Sequence, residues 1–352
     1  MRCMPCRPYG VYAVLALLHM FFAAPLQAAV PESAAKPLRA ALLLEHDGGD
    51  WAGLLRAGLV QAGRNFSVTV EVMSESVAEE QETLFHMAAR EFDLVIVASD
   101  RFHEILRNNA ANYRKTFFGC VDAGVRAPNI MSVTFADEQA ACLAGAAAAM
   151  LTVQTGLPGV NSKKVLGWLA GEDVPAMRSL INGFTDGARL IDPEMRVINA
   201  CSGSFSSRGR AREETQRLLD AGCDVLVLAA GTGNAEALSL VGGQGCYLVG
   251  MDENRDELLP GRMLTSIVKR ADRAVYDIVS AAASGRFRGK EIIVYDLANN
   301  GVGITDMARF HASAARNFPD DMDRRIAELR KELVSGGIQI KSLRARTLCD
   351  CL

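Results

Sequence analysis

The chain has 352 residues, and 38 Lys and Arg against 41 Asp and Glu leave a formal net charge of -3. That near balance excludes a protein built to grip a polyanion along a basic face. Apolar residues at 49% and charged residues at 22% exclude a disordered chain, and a single long apolar segment excludes a polytopic membrane protein.

That segment comes first. Arg2 and Arg7 precede an apolar run from Val11 to Leu26, broken only by His19, and the small residues Ala28 and Ala29 follow. This reads as a cleavable secretory signal, residues 1–28, with the mature chain starting near Ala29. The run is shorter than the ~20 residues of a membrane span, and Pro25 closes it. Cys3 and Cys6 precede the run and no Cys stands at the cleavage site, so a lipid anchor is not expected. The expected product is a periplasmic protein carrying about -5 once two Arg are removed. Seven of the nine Cys remain, at 120, 142, 201, 223, 246, 349 and 351, an odd count that leaves at least one thiol unpaired. Cys120, Cys201 and Cys246 end apolar runs and Cys142 lies on an apolar helical face, as small core residues do. Cys349 and Cys351 read as a frayed tail rather than a metal or redox site, with no His or second Cys pair near them.

Apolar, β-rich runs then alternate with helical patterns. Strands are predicted at 39–44, 67–73, 93–98, 116–121 and 130–135, with helices at 51–63 and 77–90. An Ala-rich helix over 137–155 leads to a Gly- and Pro-bearing stretch, 156–162, that reads as a crossing between domains. The alternation restarts with strands at 164–170, 195–200, 225–229 and 246–250 and helices at 175–190, 211–221 and 234–241. A second crossing near 257–261 precedes a strand at 263–267, a helix at 269–284 and a strand at 291–295. An amphipathic helix over about 320–334 follows. Continuous apolar runs suit strands buried on both faces of a parallel sheet, and the alternation implies βαβ units. Two α/β halves with repeated crossings suit a two-lobed, hinged binding protein, although other two-domain α/β proteins share the pattern.

Chemistry is sparse. The chain holds no H-E-x-x-H, no phosphate-binding G-x-x-x-x-G-K-[ST] and no G-x-S-x-G elbow. Its five His, at 19, 46, 86, 103 and 311, lack metal-ligand spacing; His86 and His103 are expected on exposed helical faces and His46 in a loop near a site. Gly231-Thr-Gly233 follows a strand and opens a helix, which suits either a backbone approach to a ligand or a tight turn. Asp47, Asp50 and Trp51 also follow a strand and open a helix. At a strand's C-terminal end, carboxylates can accept bonds from sugar hydroxyls and an indole can stack on a base; equally, Asp50 can cap the helix and Trp51 can pack. Asp252 ends another strand, where its carboxylate meets a cleft or forms a hinge ion pair. Lys269 is expected to start a helix, where a cation opposes the dipole and needs a ligand atom or a carboxylate as partner.

The run from Phe135 to Met150 resembles a hallmark of the basic membrane protein family of ABC-transporter substrate-binding proteins. So do Gly203-Ser-Phe205, the stretch from Leu228 to Asn234, Val249-Gly-Met-Asp252, the stretch from Leu264 to Arg270 with Val275-Tyr-Asp277, and Gly301-Val-Gly-Ile304, in matching order from about 39 to 305. The resemblance implies a type I periplasmic-binding-protein fold, two doubly wound α/β lobes joined by a hinge. Expected boundaries are 37–155 plus 262–310 for the N-terminal lobe, 156–261 for the C-terminal lobe, and 311–352 for a C-terminal helix and tail.

The resemblance also implies a non-enzymatic protein that binds a nucleoside, a purine one, in the cleft and passes it to an inner-membrane ABC permease. It implies no cofactor, no metal and no nucleic acid, and a monomer is expected. The same fold serving a membrane sensor, or a nucleoside-processing enzyme, are the alternatives. By that resemblance Trp51 and Phe205 stack on the base, Asp252 holds the ribose hydroxyls, Asp137 and Lys269 touch the ligand, and Gly231 and Gly233 allow close approach. Asp47 and Asp50 align only loosely, because the loop before Trp51 is shorter than the family's. Ser207 and Arg208 replace the family's usual acidic and Pro residues after Phe205.

Overall fold

The computed structural model describes residues 36–243, 245–313 and 321–341. The expected signal segment and the Cys349/Cys351 tail lie outside them. Among the described residues no helix is long and apolar enough to cross a membrane.

The first half runs β1 (Arg39–Leu44), α1 (Asp50–Phe66), β2 (Thr69–Ser74), α2 (Ala78–Glu91), β3 (Leu94–Val97), α3 (Asp100–Asn109), β4 (Phe117–Val121) and β5 (Ile130–Phe135). The second continues through α4 (Asp137–Thr152), β6 (Val165–Ala170), α5 (Pro175–Ile191), β7 (Arg196–Cys201), α6 (Arg208–Asp220), β8 (Val225–Ala229), α7 (Asn234–Val241), β9 (Tyr247–Gly250) and β10 (Met263–Lys269). The chain ends in α8 (Ala271–Ala283), β11 (Ile292–Tyr295), β12 (Val302–Ile304), α9 (Ala308–Ser313) and α10 (Met322–Ser335).

These strands form two six-stranded sheets, ordered β11-β5-β4-β3-β1-β2 and β12-β10-β9-β8-β6-β7. Pairing is parallel throughout except for β12, which runs antiparallel to β10. This is the type I periplasmic-binding-protein architecture, two doubly wound α/β lobes. The central strands β3, β6, β8 and β9 are buried along their whole length, as continuous apolar runs require, whereas the edge strands β2 and β7 are largely open to solvent.

The crossings differ from those expected. Helix α4 is buried at every position from Ala140 to Thr152, because it is apolar all round and must be covered on all sides. Its cover comes from α5, β10, β12 and α10, so it packs with the second sheet. The chain therefore crosses at Ala136, directly after β5, rather than in 156–162. Strand β10, expected with the first lobe, pairs with β9 in the second sheet. Helix α8 then returns to pack on α1 and on β4, β11 joins the first sheet, and β12 goes back to the second. Three crossings result. Helix α3 was not foreseen: its apolar residues are few, but Phe102, Ile105 and Leu106 sit at helical spacing and are buried.

Two other expectations are corrected. His103 is buried, with Nε2 2.8 Å from the Val121 carbonyl, because α3 turns that face toward the end of β4. Cys201 is exposed, because β7 is an edge strand, whereas Cys120, Cys142, Cys223 and Cys246 are buried.

Helices α4 and α5 approach so closely that side chains are excluded at the contact. A Cβ at Gly145 would overlap the Phe184 carbonyl, and one at Gly187 would overlap the Cys142 carbonyl. Gly187→Ala is therefore expected to destabilise by about 1–3 kcal/mol through overpacking. Gly53→Ala in α1, whose Cβ meets nothing within 4 Å, is expected to stabilise by about 0.5–1 kcal/mol. Denaturant midpoints of the two variants check the pair, and equal shifts would contradict the packing described here.

Candidate functional site

In an open parallel sheet, ligands gather beyond the C-terminal strand ends, at the point where strand order reverses. That point lies between β1 and β3 in the first sheet and between β6 and β8 in the second. Trp51, at the start of α1, spans the first: its indole Nε1 donates to the carbonyl of Ala98, just past β3, at 3.3 Å. Its ring stands edge-on to Phe135, with centroids 6.4 Å apart.

Phe205, in the loop after β7, covers the second reversal point. Its ring lies where a Cβ of Gly171 would be, and Gly171 N is held by the Ala229 carbonyl at 3.0 Å. The Phe205 carbonyl accepts from Thr232 N at 2.9 Å. These contacts explain the Gly-Thr-Gly turn. Gly231 has a left-handed φ of 59°, and a Cβ there would stand 2.5 Å from the Phe205 carbonyl oxygen. A Cβ at Gly233 would stand 2.6 Å from the Ala211 methyl in α6. Both glycines are required by protein packing.

The two sheets meet through charge. Lys269, expected to start a helix, is instead the last residue of β10, two residues before α8, and its partners are the carboxylates of Asp122, after β4, and Asp137, at the crossing into α4. Nζ lies 2.8 Å from Asp122 Oδ2 and 3.2 Å from Asp137 Oδ1. Lys269 is 4% exposed and Asp137 1%. The same ammonium stands 4.7 Å from the Phe135 ring centre and 5.0 Å from that of Trp51, within cation–π range. A second link joins Arg255, in the loop after β9, to Asp50 and, at 2.7 Å, to Glu253. Asp50 thus faces Arg255 and makes no side-chain cap for α1. Asp47 is not drawn into this group: it pairs with Arg56 of α1 and is largely exposed. His46 is exposed in the same loop.

Asp122 and Asp252 are equivalent residues of the two sheets, following β4 and β9. Both have left-handed backbones, φ 76° and 72°, a conformation that Asp tolerates better than most residues. The Asp252 carbonyl accepts from Lys269 N at 3.0 Å. Burial pushes the Asp252 carboxyl up to about 6; Lys269 opposes this, while Asp50, Asp122 and Asp137 add to it. Sequence reasoning missed Asp122, Phe135 and Arg255. Asp122 carried a usable signal, since it follows a strand as Asp47 and Asp252 do. Arg255 carried none, because its partner Asp50 lies about two hundred residues away in the chain.

Among the described residues no group of His, Cys, Asp and Glu is placed to hold a metal. The Lys269 and Arg255 clusters are hydrogen-bonding and electrostatic in character, suited to holding a polar ligand against flat aromatic faces.

Residues 49–344 match the family of ABC transporter substrate-binding proteins described as PnrA-like, or Bmp. The chain is 25% identical over 326 residues to an uncharacterised lipoprotein of Pyrococcus abyssi, covering 85% of this chain and 79% of that one. It is 26% identical over 251 residues to the ABC transporter nucleoside-binding protein BmpA of Lactococcus lactis, covering 66% of each. Among solved structures, an ABC transporter solute-binding protein of Aeropyrum pernix superposes with a TM-score of 0.76 at 22% identity, covering 87% of this chain and 94% of that one. That likeness is one of fold.

The raised Asp252 carboxyl has a consequence for stability that needs no ligand. With its folded pKa above the ordinary value, the group opposes folding above about pH 6, where it is forced to ionise, and ceases to do so as pH falls toward 4. Asp252→Asn is therefore expected to raise the thermal midpoint at pH 8, with the advantage shrinking between pH 6 and 4. Melting curves of both proteins across that range check the sign.

Proposed function

The chain belongs to the PnrA-like family of ABC transporter substrate-binding proteins, and on that premise we propose that it captures a purine nucleoside between its two lobes and delivers it to an ABC permease. The observation that carries this reading is the placement of one aromatic residue at each reversal point, Trp51 on the first sheet and Phe205 on the second. A flat base closed between them gains about 0.5–1.5 kcal/mol per stacked pair beyond area burial. The Lactococcus nucleoside-binding relative supports the same ligand class.

The ribose falls to Asp252. An ionised carboxylate only accepts, so it suits two adjacent hydroxyl donors. Asp137 and Lys269 supply an acceptor and a donor for the polar edge of the ligand, and Asp50 and Arg255 close the cleft beside it. Asp47, turned to Arg56, stays outside this set. Gly231 and Gly233 act through Phe205 and α6, holding the aromatic in place rather than touching ligand. Capture and release require no bond to be broken, so the role is binding, not catalysis, and the protein works outside the cytoplasmic membrane.

Two measurements check this. Mass spectrometry of material released from protein purified without refolding is expected to find a purine nucleoside; a sugar, peptide or metal would overturn the ligand class. Calorimetric titration of guanosine, inosine and adenosine beside their free bases is expected to show Asp252→Ala losing about 1.5–3 kcal/mol for nucleosides, roughly 10- to 150-fold in Kd, and far less for bases. Trp51→Ala and Phe205→Ala are expected to weaken both ligand sets alike, measured per folded molecule, because both rings also pack on the core and their loss lowers the ligand-free melting temperature. Equal losses for base and nucleoside in Asp252→Ala would remove Asp252 from ribose recognition.

A further inference from the structure

We propose that the end of the first sheet opposite the cleft is a docking face for an anionic membrane surface. Net charge is a sum, and the near balance of the whole chain conceals an uneven distribution. The carboxylates of the cleft, Asp50, Asp122, Asp137 and Asp252, stand just past the C-terminal ends of their strands. The N-terminal ends of the first sheet carry the opposite sign.

Parallel pairing brings that face together. Strands β1, β3, β4, β5 and β11 all start there, and helices α1, α2, α3 and α8 all end there. Backbone bonds join the strand starts: Asp93 N donates to the Arg39 carbonyl at 2.9 Å, Phe117 N to the Asp93 carbonyl at 2.9 Å, and Lys290 N to the Ile130 carbonyl at 2.8 Å. Arg90 sits in the last turn of α2. Arg114 and Lys115 lie in the turn before β4, and Arg286, Arg288 and Lys290 lie in the loop from α8 to β11. All six are exposed, and among the described residues none of them is ion-paired. Against them stand Glu91, Asp93 and Glu291, and Asp93 already accepts from Arg39 N at 2.8 Å.

A cation at a helix end answers the helix dipole, which accounts for Arg90. It does not account for the five in loops, whose mutual repulsion costs stability until a counter-charge meets them. Their backbone is held in place: the Arg126 guanidinium donates to the Lys290 carbonyl at 3.2 Å, beside the Lys290 to Ile130 bond. At the centre of the face, Phe117, the first residue of β4, is 39% exposed, and its ring stacks on Phe287 with centroids 4.4 Å apart. Phe287 stands between Arg286 and Arg288, and Phe117 follows Lys115 by two residues. Apolar rings set among Lys and Arg suit a bilayer interface, where the rings enter the headgroup layer and the cations meet lipid phosphate. Docked by this end, the protein keeps its cleft roughly 17 Å from the lipid, the length of a five-residue strand such as β4.

The test uses the whole protein and no nucleoside, so its outcome is independent of the ligand reading. Sedimentation with sucrose-loaded vesicles of phosphatidylglycerol and phosphatidylethanolamine is compared with that on phosphatidylcholine vesicles. Retention on the neutral vesicles reports what the apolar N-terminal segment contributes, and the excess on the anionic ones reports the face. That excess is expected to fall as salt rises. In Arg286→Gln/Arg288→Gln/Lys290→Gln it is expected to drop by roughly a hundredfold, each cation beside an anionic surface being worth roughly fivefold. Phe117→Ala, which keeps every charge, is expected to weaken it severalfold. Taking three exposed cations from α6 instead, in Arg208→Gln/Arg210→Gln/Arg212→Gln, is expected to leave it nearly unchanged. No excess on anionic vesicles at low salt, an unchanged excess in the loop variant or in Phe117→Ala, or equal losses in the loop and α6 variants would overturn the proposal. Preferential capture by soluble polyphosphate would also overturn it, by assigning the face to a linear polyanion.

Discussion

A buried ammonium has to be paired, and that requirement organises the place where the two halves meet. Lys269 ends β10 of the second sheet with almost no access to water, so removing its charge from solvent is tolerated only with close partners. The partners are Asp122 and Asp137, at strand ends of the first sheet and at the crossing into α4. One side chain thereby holds the C-terminal ends of the two sheets in register. The rings of Trp51 and Phe135 beside the ammonium add an electrostatic face that water would otherwise supply.

The same group sets the charge of the site. Carboxylates outnumber cations around Lys269 and Arg255, so Asp252 finds itself desolvated among like charges and holds its proton more tightly than an ordinary Asp. A pair of hydroxyl donors satisfies such a carboxylate without adding charge, whereas another anion would add to the repulsion. The left-handed backbone at Asp252 and at its counterpart Asp122 shows the two sheets using one local device twice, each turning the chain sharply at the end of an equivalent strand.

Close backbone approaches give the scaffold its stiffness. Gly145 and Gly187 let α4 and α5 touch without intervening side chains, and an Ala-rich α4 fills what remains. Gly171 and Gly231 do the same for Phe205, so the aromatic is seated against backbone on two sides and has little freedom to swing away. Asp256 adds a polar knot, accepting from Ser266 at 2.7 Å and from Thr305 at 3.0 Å, which ties the Arg255 loop to β10 and to the residue after β12.

By itself the sequence determined the strands and helices, because burial on both faces demands continuous apolar runs such as Leu94–Val97 and Val225–Ala229, and these are visible without a partner. It also singled out Trp51, Phe205, Asp137, Asp252 and Lys269 as candidates for the site, since each matches a position at or after a strand end in the order of a known family. Only the tertiary structure decided where the chain crosses, because an all-apolar helix such as α4 does not reveal which sheet will cover it. Nor could one chain position reveal that Asp50 meets Arg255, that Lys269 meets Asp122, or that Gly231 makes room for Phe205. Each of those depends on distance in space between residues far apart in sequence, and a linear pattern carries periodicity but not that distance.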